Sequence, residues 1–199
     1  MTRKRRIALL LALAMAGGAA AALPEHAQAP VFEGPAAKDG RQIAFHLGDA
    51  LERGAVVVYF YPAAYTSGCN IQARAFSRDY GKFAEAGASV VGVSLDGIER
   101  LQRFSADPDY CGGRFPVVSD ADGRIAARYE LRVSAGGAGL RNTQGEEIGH
   151  GFAERTTFVV APDGRIAATI SGLGPEQNVA RALQVVQALA AQAGHAPPR

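Results

Sequence analysis

A chain of 199 residues, 48% of them hydrophobic and 20% charged, is long enough for one core and too apolar to stay unfolded throughout. The formal net charge of +2 falls to −2 once residues 1–22 are set aside, because four basic and no acidic residues leave with them. No basic cluster remains in the rest of the chain, so nucleic acid is excluded as a partner.

The N-terminus reads as a targeting segment. Arg3, Lys4, Arg5 and Arg6 precede an apolar run over residues 7–16 and then the small residues GGAAAAL. That order predicts a secretory signal over residues 1–22. Ala20-Ala21-Ala22 offers one cleavage site, and Ala27-Gln28-Ala29, followed by Pro30, offers a second at 29. The run is shorter than the roughly 20 residues of a membrane span. An uncleaved inner-membrane anchor stands as the alternative to periplasmic export, and Arg5-Arg6 leaves twin-arginine export open. No Cys follows the apolar run, which excludes a lipoprotein anchor.

Residues 23–36, rich in Ala and Pro, read as a linker, and residues 37–193 as one domain ahead of a disordered tail at 194–199. Residues 38–41 (KDGR) form a turn, and residues 42–47 alternate as a short strand does. Residues 55–61 (AVVVYFY) are a continuous apolar run, as expected of a central strand buried on both faces, and Pro62 ends it. A helix starts near Cys69, with Ile71, Ala75, Phe76, Phe83 and Ala84 as its apolar face. Further strands are expected at 88–95 and 115–119, with helices at 97–106 and from 125 to 129. The Gly-rich stretch 134–154 is long for a loop in a compact domain. A hairpin around Pro162-Asp163-Gly164 and an amphipathic helix over 179–193 complete a three-layer α/β domain.

The chemistry concentrates where the strand ending at Pro62 delivers Cys69 to the start of a helix. Unpaired backbone N–H groups and the helix dipole favour an anion there, which is the nucleophilic form of a thiol. Thr66 stands three residues earlier, where its hydroxyl can face the sulfur or cap the helix. Arg155, immediately before the strand at 156–161, is the candidate cation for stabilising charge on the sulfur and on a breaking O–O bond.

Pro62, Thr66 and Cys69 in the spacing PxxxTxxC, with Arg-Thr-Thr-Phe-Val-Val far downstream, resemble the peroxiredoxins of the alkyl hydroperoxide reductase/thiol-specific antioxidant superfamily. Within it the chain looks most like the bacterioferritin-comigratory, or Q-type, branch. The likeness includes the strand FYP and the segments FPVVSDADG and TFVVAPDGRI. It implies a thioredoxin-like fold and a thiol-dependent peroxidase of antioxidant defence, acting on hydrogen peroxide and organic hydroperoxides. Cys69 would be oxidised to a sulfenic acid; Thr66 would bond the peroxide, Arg155 would hold the thiolate and Pro62 would shield the pocket. The resemblance implies no metal or prosthetic group, thioredoxin or a similar dithiol as reductant, and a monomer or weak dimer.

One position departs from that pattern. Many Q-type members carry a resolving Cys five residues after the first, and Arg74 stands there. Cys111 is the second thiol of the chain, and two outcomes stay open: it resolves the sulfenic acid as an intramolecular disulfide, or Cys69 works alone with an outside thiol. A permanent structural disulfide is the bland reading of two cysteines in an exported domain.

Three rival functions lack their residues or explain them less well. A thiol–disulfide oxidoreductase needs Cys-x-x-Cys, and positions 66 and 72 are Thr66 and Gln72. A Sco-type copper chaperone needs a Cys at Ala73. A redox-inert binding module gives no reason for Thr66, Cys69 and Arg155 together. His46, His150 and His195 show no metal spacing or paired carboxylate and are given no role.

Overall fold

The computed structural model describes residues 22–136 and 139–194. The expected signal lies outside the described residues except for Ala22, and so does the expected tail except for Gly194.

The chain opens with β1 (Glu33–Lys38), β2 (Arg41–His46), α1 (Leu47–Leu51), β3 (Ala55–Phe60) and α2 (Ser67–Glu85). It continues through β4 (Ala88–Ser94), α3 (Ile98–Ala106), β5 (Val117–Ser119) and α4 (Arg124–Arg128). Two short strands, β6 (Val133–Ser134) and β7 (Phe152–Ala153), precede β8 (Thr156–Val160), β9 (Ile166–Ser171) and α5 (Pro175–Gly194). Seven strands form one sheet in the order β2-β1-β5-β4-β3-β8-β9. β3, β4 and β5 run parallel at its centre, and β8 lies antiparallel to β3 with Phe60 opposite Thr156.

The apolar run at 55–60 is buried throughout because helices cover both faces of the strand. Val57 and Tyr59 pack toward α2, α3 and α5, while Val56, Val58 and Phe60 pack toward α1 and α4. Burial of each large apolar side chain stabilises by roughly 1.5–3 kcal/mol. Tyr59 needs a gap to fit: a Cβ on Gly92 of the neighbouring strand would come within 2.8 Å of its ring and hydroxyl. Asp120, buried in the turn after β5, accepts the amides of Ile125 and Ala126 and so starts α4.

Two expectations are corrected. Residues 23–36 are part of the domain rather than a linker. His26 and Ala29 donate amides to Ile166 and Gly164, Gln28 bridges Arg165, and residues 33–36 belong to β1. Phe32 is buried against Phe45 and Tyr129. The physical reason is the edge of β9, whose backbone groups beyond the hairpin turn take partners from this segment. The Ala and Pro content hid it, because small side chains fill a tight space without giving an alternating pattern.

The second concerns the inner face of α2. Ile71 and Ala84 point to solvent, whereas Gln72 and Ala73 are fully buried beside Cys69, Ala75, Phe76 and Phe83. A buried glutamine in a helix packed against α5 requires polar partners, and it has them at the site below. No helix among the described residues is long and apolar enough to cross a membrane.

Candidate active site

The strand-to-helix connection carries Cys69 as the third residue of α2, with Thr66 as the residue before its first turn. In the first turn of a helix the backbone N–H groups have no intrahelical acceptor, so their positive ends face the sulfur side of the loop. Cys69 is buried, 1% exposed, and it is a free thiol. Arg155 donates from Nη2 to Cys69 Sγ at 3.3 Å. The antiparallel pairing of β3 and β8 brings it there: Phe60 opposite Thr156 sets the residue before β8 alongside the loop that leaves β3.

Gly68 permits that approach, since a Cβ at this position would stand 3.1 Å from Arg155 Nη2. The other arm of the guanidinium, Nη1, donates to Gln72 Oε1, so Arg155 spans Cys69 and Gln72, three residues apart on one helix face. Gln72 Nε2 in turn donates to Asn178 Oδ1 at 3.1 Å, and Thr157 Oγ1 donates to the same oxygen at 2.6 Å. Asn178 Nδ2 completes the relay by donating to the Ile170 carbonyl at 3.2 Å. Every amide in this buried chain has its orientation fixed by its neighbour.

The other expected residues sit around this pair. Thr66 Oγ1 donates to the Ala63 carbonyl at 2.9 Å and makes no side-chain cap, which leaves its oxygen lone pairs available as acceptors. Pro62, half-buried, starts the loop. Tyr65 adopts φ +61°, a conformation that costs a residue with a bulky side chain. Its carbonyl accepts from the amide of Thr143 at 2.8 Å and from the Thr143 hydroxyl at 2.7 Å. Ala64 donates its amide to Asp96 Oδ2 at 2.6 Å.

Cys111 is also free and fully buried, in the turn after α3. Burial first, and the Asp107 carboxylate second, push its thiol well above the ordinary range. Arg74 holds this turn to α2 by donating to the Asp109 carbonyl at 2.8 Å, with its guanidinium over the Tyr110 ring.

Gln72, Asn178, Thr143, Asp96 and His150 were given no part by the sequence. Gln72 had one usable signal, its place three residues after Cys69 on the same helix face. For Asn178 and Thr143 nothing local distinguishes them from surface polar residues.

The AhpC/TSA family model matches residues 26–169. The chain belongs to the AhpC/TSA family. The Mycobacterium tuberculosis protein Rv2521, named as a peroxiredoxin, is 40% identical over 139 residues, covering 70% of this chain and 79% of its own. Peroxiredoxin Bcp of Xanthomonas campestris is 31% identical over 111 residues, covering 56% of this chain and 62% of its own. Among solved structures, peroxidoxin BcpB from Mycobacterium tuberculosis superimposes with a TM-score of 0.68 at 30% identity, over 83% of this chain and 97% of that one. The bacterioferritin comigratory protein of Xanthomonas campestris does so with a TM-score of 0.62 at 26% identity, over 78% and 91%. This peroxiredoxin is a thiol-dependent peroxidase with a thioredoxin-like fold, as its sequence leads one to expect.

Proposed function

We propose that Cys69 is the peroxidatic residue of an exported peroxidase that reduces hydrogen peroxide and organic hydroperoxides. The observation that carries this reading is the Arg155 guanidinium 3.3 Å from the Cys69 sulfur at the N-terminal turn of α2. Two sources of positive potential then meet at one sulfur, in a site where low dielectric strengthens both. The thiolate attacks one peroxide oxygen, the O–O bond breaks, and the departing oxygen takes a proton and leaves as water or an alcohol. Cys69 is left as a sulfenic acid. Arg155 stabilises the charge passing across the oxygens, Thr66 bonds the peroxide, and Pro62 shields the sulfur from water. A thiol then attacks the sulfenic sulfur, a disulfide forms and water leaves; thioredoxin or a similar dithiol restores the enzyme.

Cys111 is a candidate resolving thiol, because it shares one buried cluster with Cys69. Its complete burial and raised pKa favour the second reading, in which Cys69 works alone with an outside thiol. Intact mass after one equivalent of hydrogen peroxide separates the two. Loss of two hydrogens that disappears in Cys111→Ser supports a resolving Cys111; a gain of one oxygen on Cys69 supports the one-cysteine cycle. Unchanged peroxide consumption by Cys69→Ser would overturn the peroxidatic assignment itself.

Export to the periplasm, with removal of residues 1–22, is part of the same proposal. The hydrogen bonds made by Leu23, His26 and Ala29 favour the cleavage site at 22 over that at 29, since the later cut would remove a segment packed on β9. An N-terminal sequence of the exported protein that began at Pro30 would contradict this.

A further inference from the structure

The segment between β6 and β7 is closed at its neck by pairing of Val133 with Ala153 and of Ser134 with Phe152. The neck is tight, for a Cβ on Gly151 would collide with the Ser134 carbonyl oxygen. From this neck His150 reaches Asp96, the buried carboxylate that follows β4. Asp96 Oδ1 accepts from His150 Nε2 at 3.0 Å and from Arg100 Nη1 at 3.0 Å. Its Oδ2 accepts from Ser94 Oγ at 2.8 Å and from the amide of Ala64 at 2.6 Å. Ala64 lies five residues before Cys69, in the loop over residues 62–69, and that sulfur, 1% exposed, is out of reach of an outside thiol while the loop stays in place. Thr143 of the same segment holds the neighbouring carbonyl of Tyr65. Consecutive residues of the loop are therefore held, Tyr65 directly by Thr143 of the segment and Ala64 by Asp96, the carboxylate that His150 of the segment bonds.

His150 Nδ1 lies 2.8 Å from the Gly151 carbonyl oxygen while Nε2 faces Asp96. Both ring nitrogens meet acceptors, so both hydrogen bonds form only with the doubly protonated ring. The charged groups around it are Asp96, Arg100 of α3, and Glu146, which binds Arg100 at 3.3 Å and Arg103 at 2.7 Å. The Tyr61 ring of the loop-bearing strand lies near Asp96 and stays neutral, its pKa raised by burial and then by that carboxylate.

We propose that Asp96 and His150 are positioning residues that latch the loop over residues 62–69, so that protonation of His150 slows exposure of oxidised Cys69 without changing attack on peroxide. The proposal rests on Cys69 being the peroxidatic residue. Burial alone would lower the His150 pKa, but the bonds to Asp96 and Gly151 outweigh it and raise it. The bonded cation is thus fully present below the unfolded value of about 6.5 and is lost as pH rises through the higher folded value. Release is expected as pH rises through that value.

The test uses the Cys111→Ser protein, oxidised by one equivalent of hydrogen peroxide and then trapped by a cyclic 1,3-diketone. The diketone carbon attacks the sulfenic sulfur, a thioether forms and water leaves. Trapping should speed up about threefold or more between about pH 6 and pH 8.5, and His150→Gln should trap fast at both. The rate of Cys69 oxidation should differ less than about twofold between the two proteins at each pH. An unchanged pH slope in His150→Gln would overturn the latch, as would a fall in the oxidation rate that matched the change in trapping. Hydrogen exchange of the peptide spanning residues 62–70, corrected for intrinsic exchange, reads the loop in the unmodified protein. It should open more at high pH, and equal protection at both pH values would also overturn the latch. An absence of any diketone adduct, beside pH-dependent exchange, would sink the assignment of Cys69 and leave the latch standing.

Discussion

The two cysteines are alike in burial and opposite in setting. Cys69 and Cys111 are 1% and 0% exposed and belong to the same apolar cluster, with Tyr59 and Tyr61 among its members. Cys69 stands at a helix N-terminus with a guanidinium on its sulfur; Cys111 follows a helix, with the Asp107 carboxylate as its charged neighbour. Burial and the Asp107 carboxylate both disfavour a thiolate at Cys111, whereas the group that donates to the Cys69 sulfur is a cation. The two buried sulfurs therefore differ in their charged neighbours, and accessibility does not distinguish them.

The sharpest way to break that comparison is to remove the cation. Arg155→Gln keeps a hydrogen-bond donor near the sulfur and takes away the charge. The second-order rate of Cys69 oxidation by hydrogen peroxide should fall by about 10²–10³. A fall of less than about fivefold would mean that the helix terminus alone suffices. A smaller effect is expected from alkylation: a small haloacetamide at about pH 8 should modify Cys69 at least roughly tenfold faster than Cys111. Peptide mapping after partial labelling reads the ratio, and equal labelling would erase the difference argued here.

Next comes the relay that aims the cation. Asn178→Leu leaves Gln72 Nε2 and Thr157 Oγ1 without their shared acceptor inside the protein. The expected result is about a tenfold loss in oxidation rate with about 1–3 kcal/mol lost in stability. Denaturant unfolding beside stopped-flow oxidation checks both. Loss of stability with an unchanged rate would mean that Arg155 finds its place without the relay.

How much of this was legible in advance follows the range of the interactions. Strands such as residues 55–60 announce themselves because burial on both faces leaves an unbroken apolar run. Pro62, Thr66 and Cys69 lie within one strand-to-helix connection and the first turn of the helix it feeds, and Arg155 is marked by the strand it precedes. β1 was missed because its Gly34, Pro35, Ala36 and Ala37 carry no alternating signal, although β2, with which it pairs along its whole length, follows directly after the turn. Asp96 and His150, 54 residues apart, meet through a closed loop whose path nothing local encodes. The absence of a neighbouring carboxylate in sequence told nothing about one in space. Gln72 was passed over for a similar reason: its partner Asn178 arrives from the C-terminal helix, 106 residues away.

The smallest predicted effect concerns Gly68, whose backbone is helical and whose role is one of space alone. A Cβ there stands 3.1 Å from Arg155 Nη2 and 3.7 Å from Pro175 Cγ. Two opposed terms decide Gly68→Ala. Alanine gains up to about 1 kcal/mol of helix propensity over glycine, discounted because the position lies in the first turn. The guanidinium must give by a few tenths of an ångström, and the bond it would lengthen is the one to Cys69. Stability should therefore stay level or rise slightly, while oxidation of Cys69 slows by about two- to threefold, because a charge-assisted bond weakens with small displacements. Stability and rate moving in opposite directions is the signature of a residue that matters only for how close the cation comes. If both rise together, Arg155 has slack, and the 3.3 Å contact is looser than the comparison of the two thiols requires.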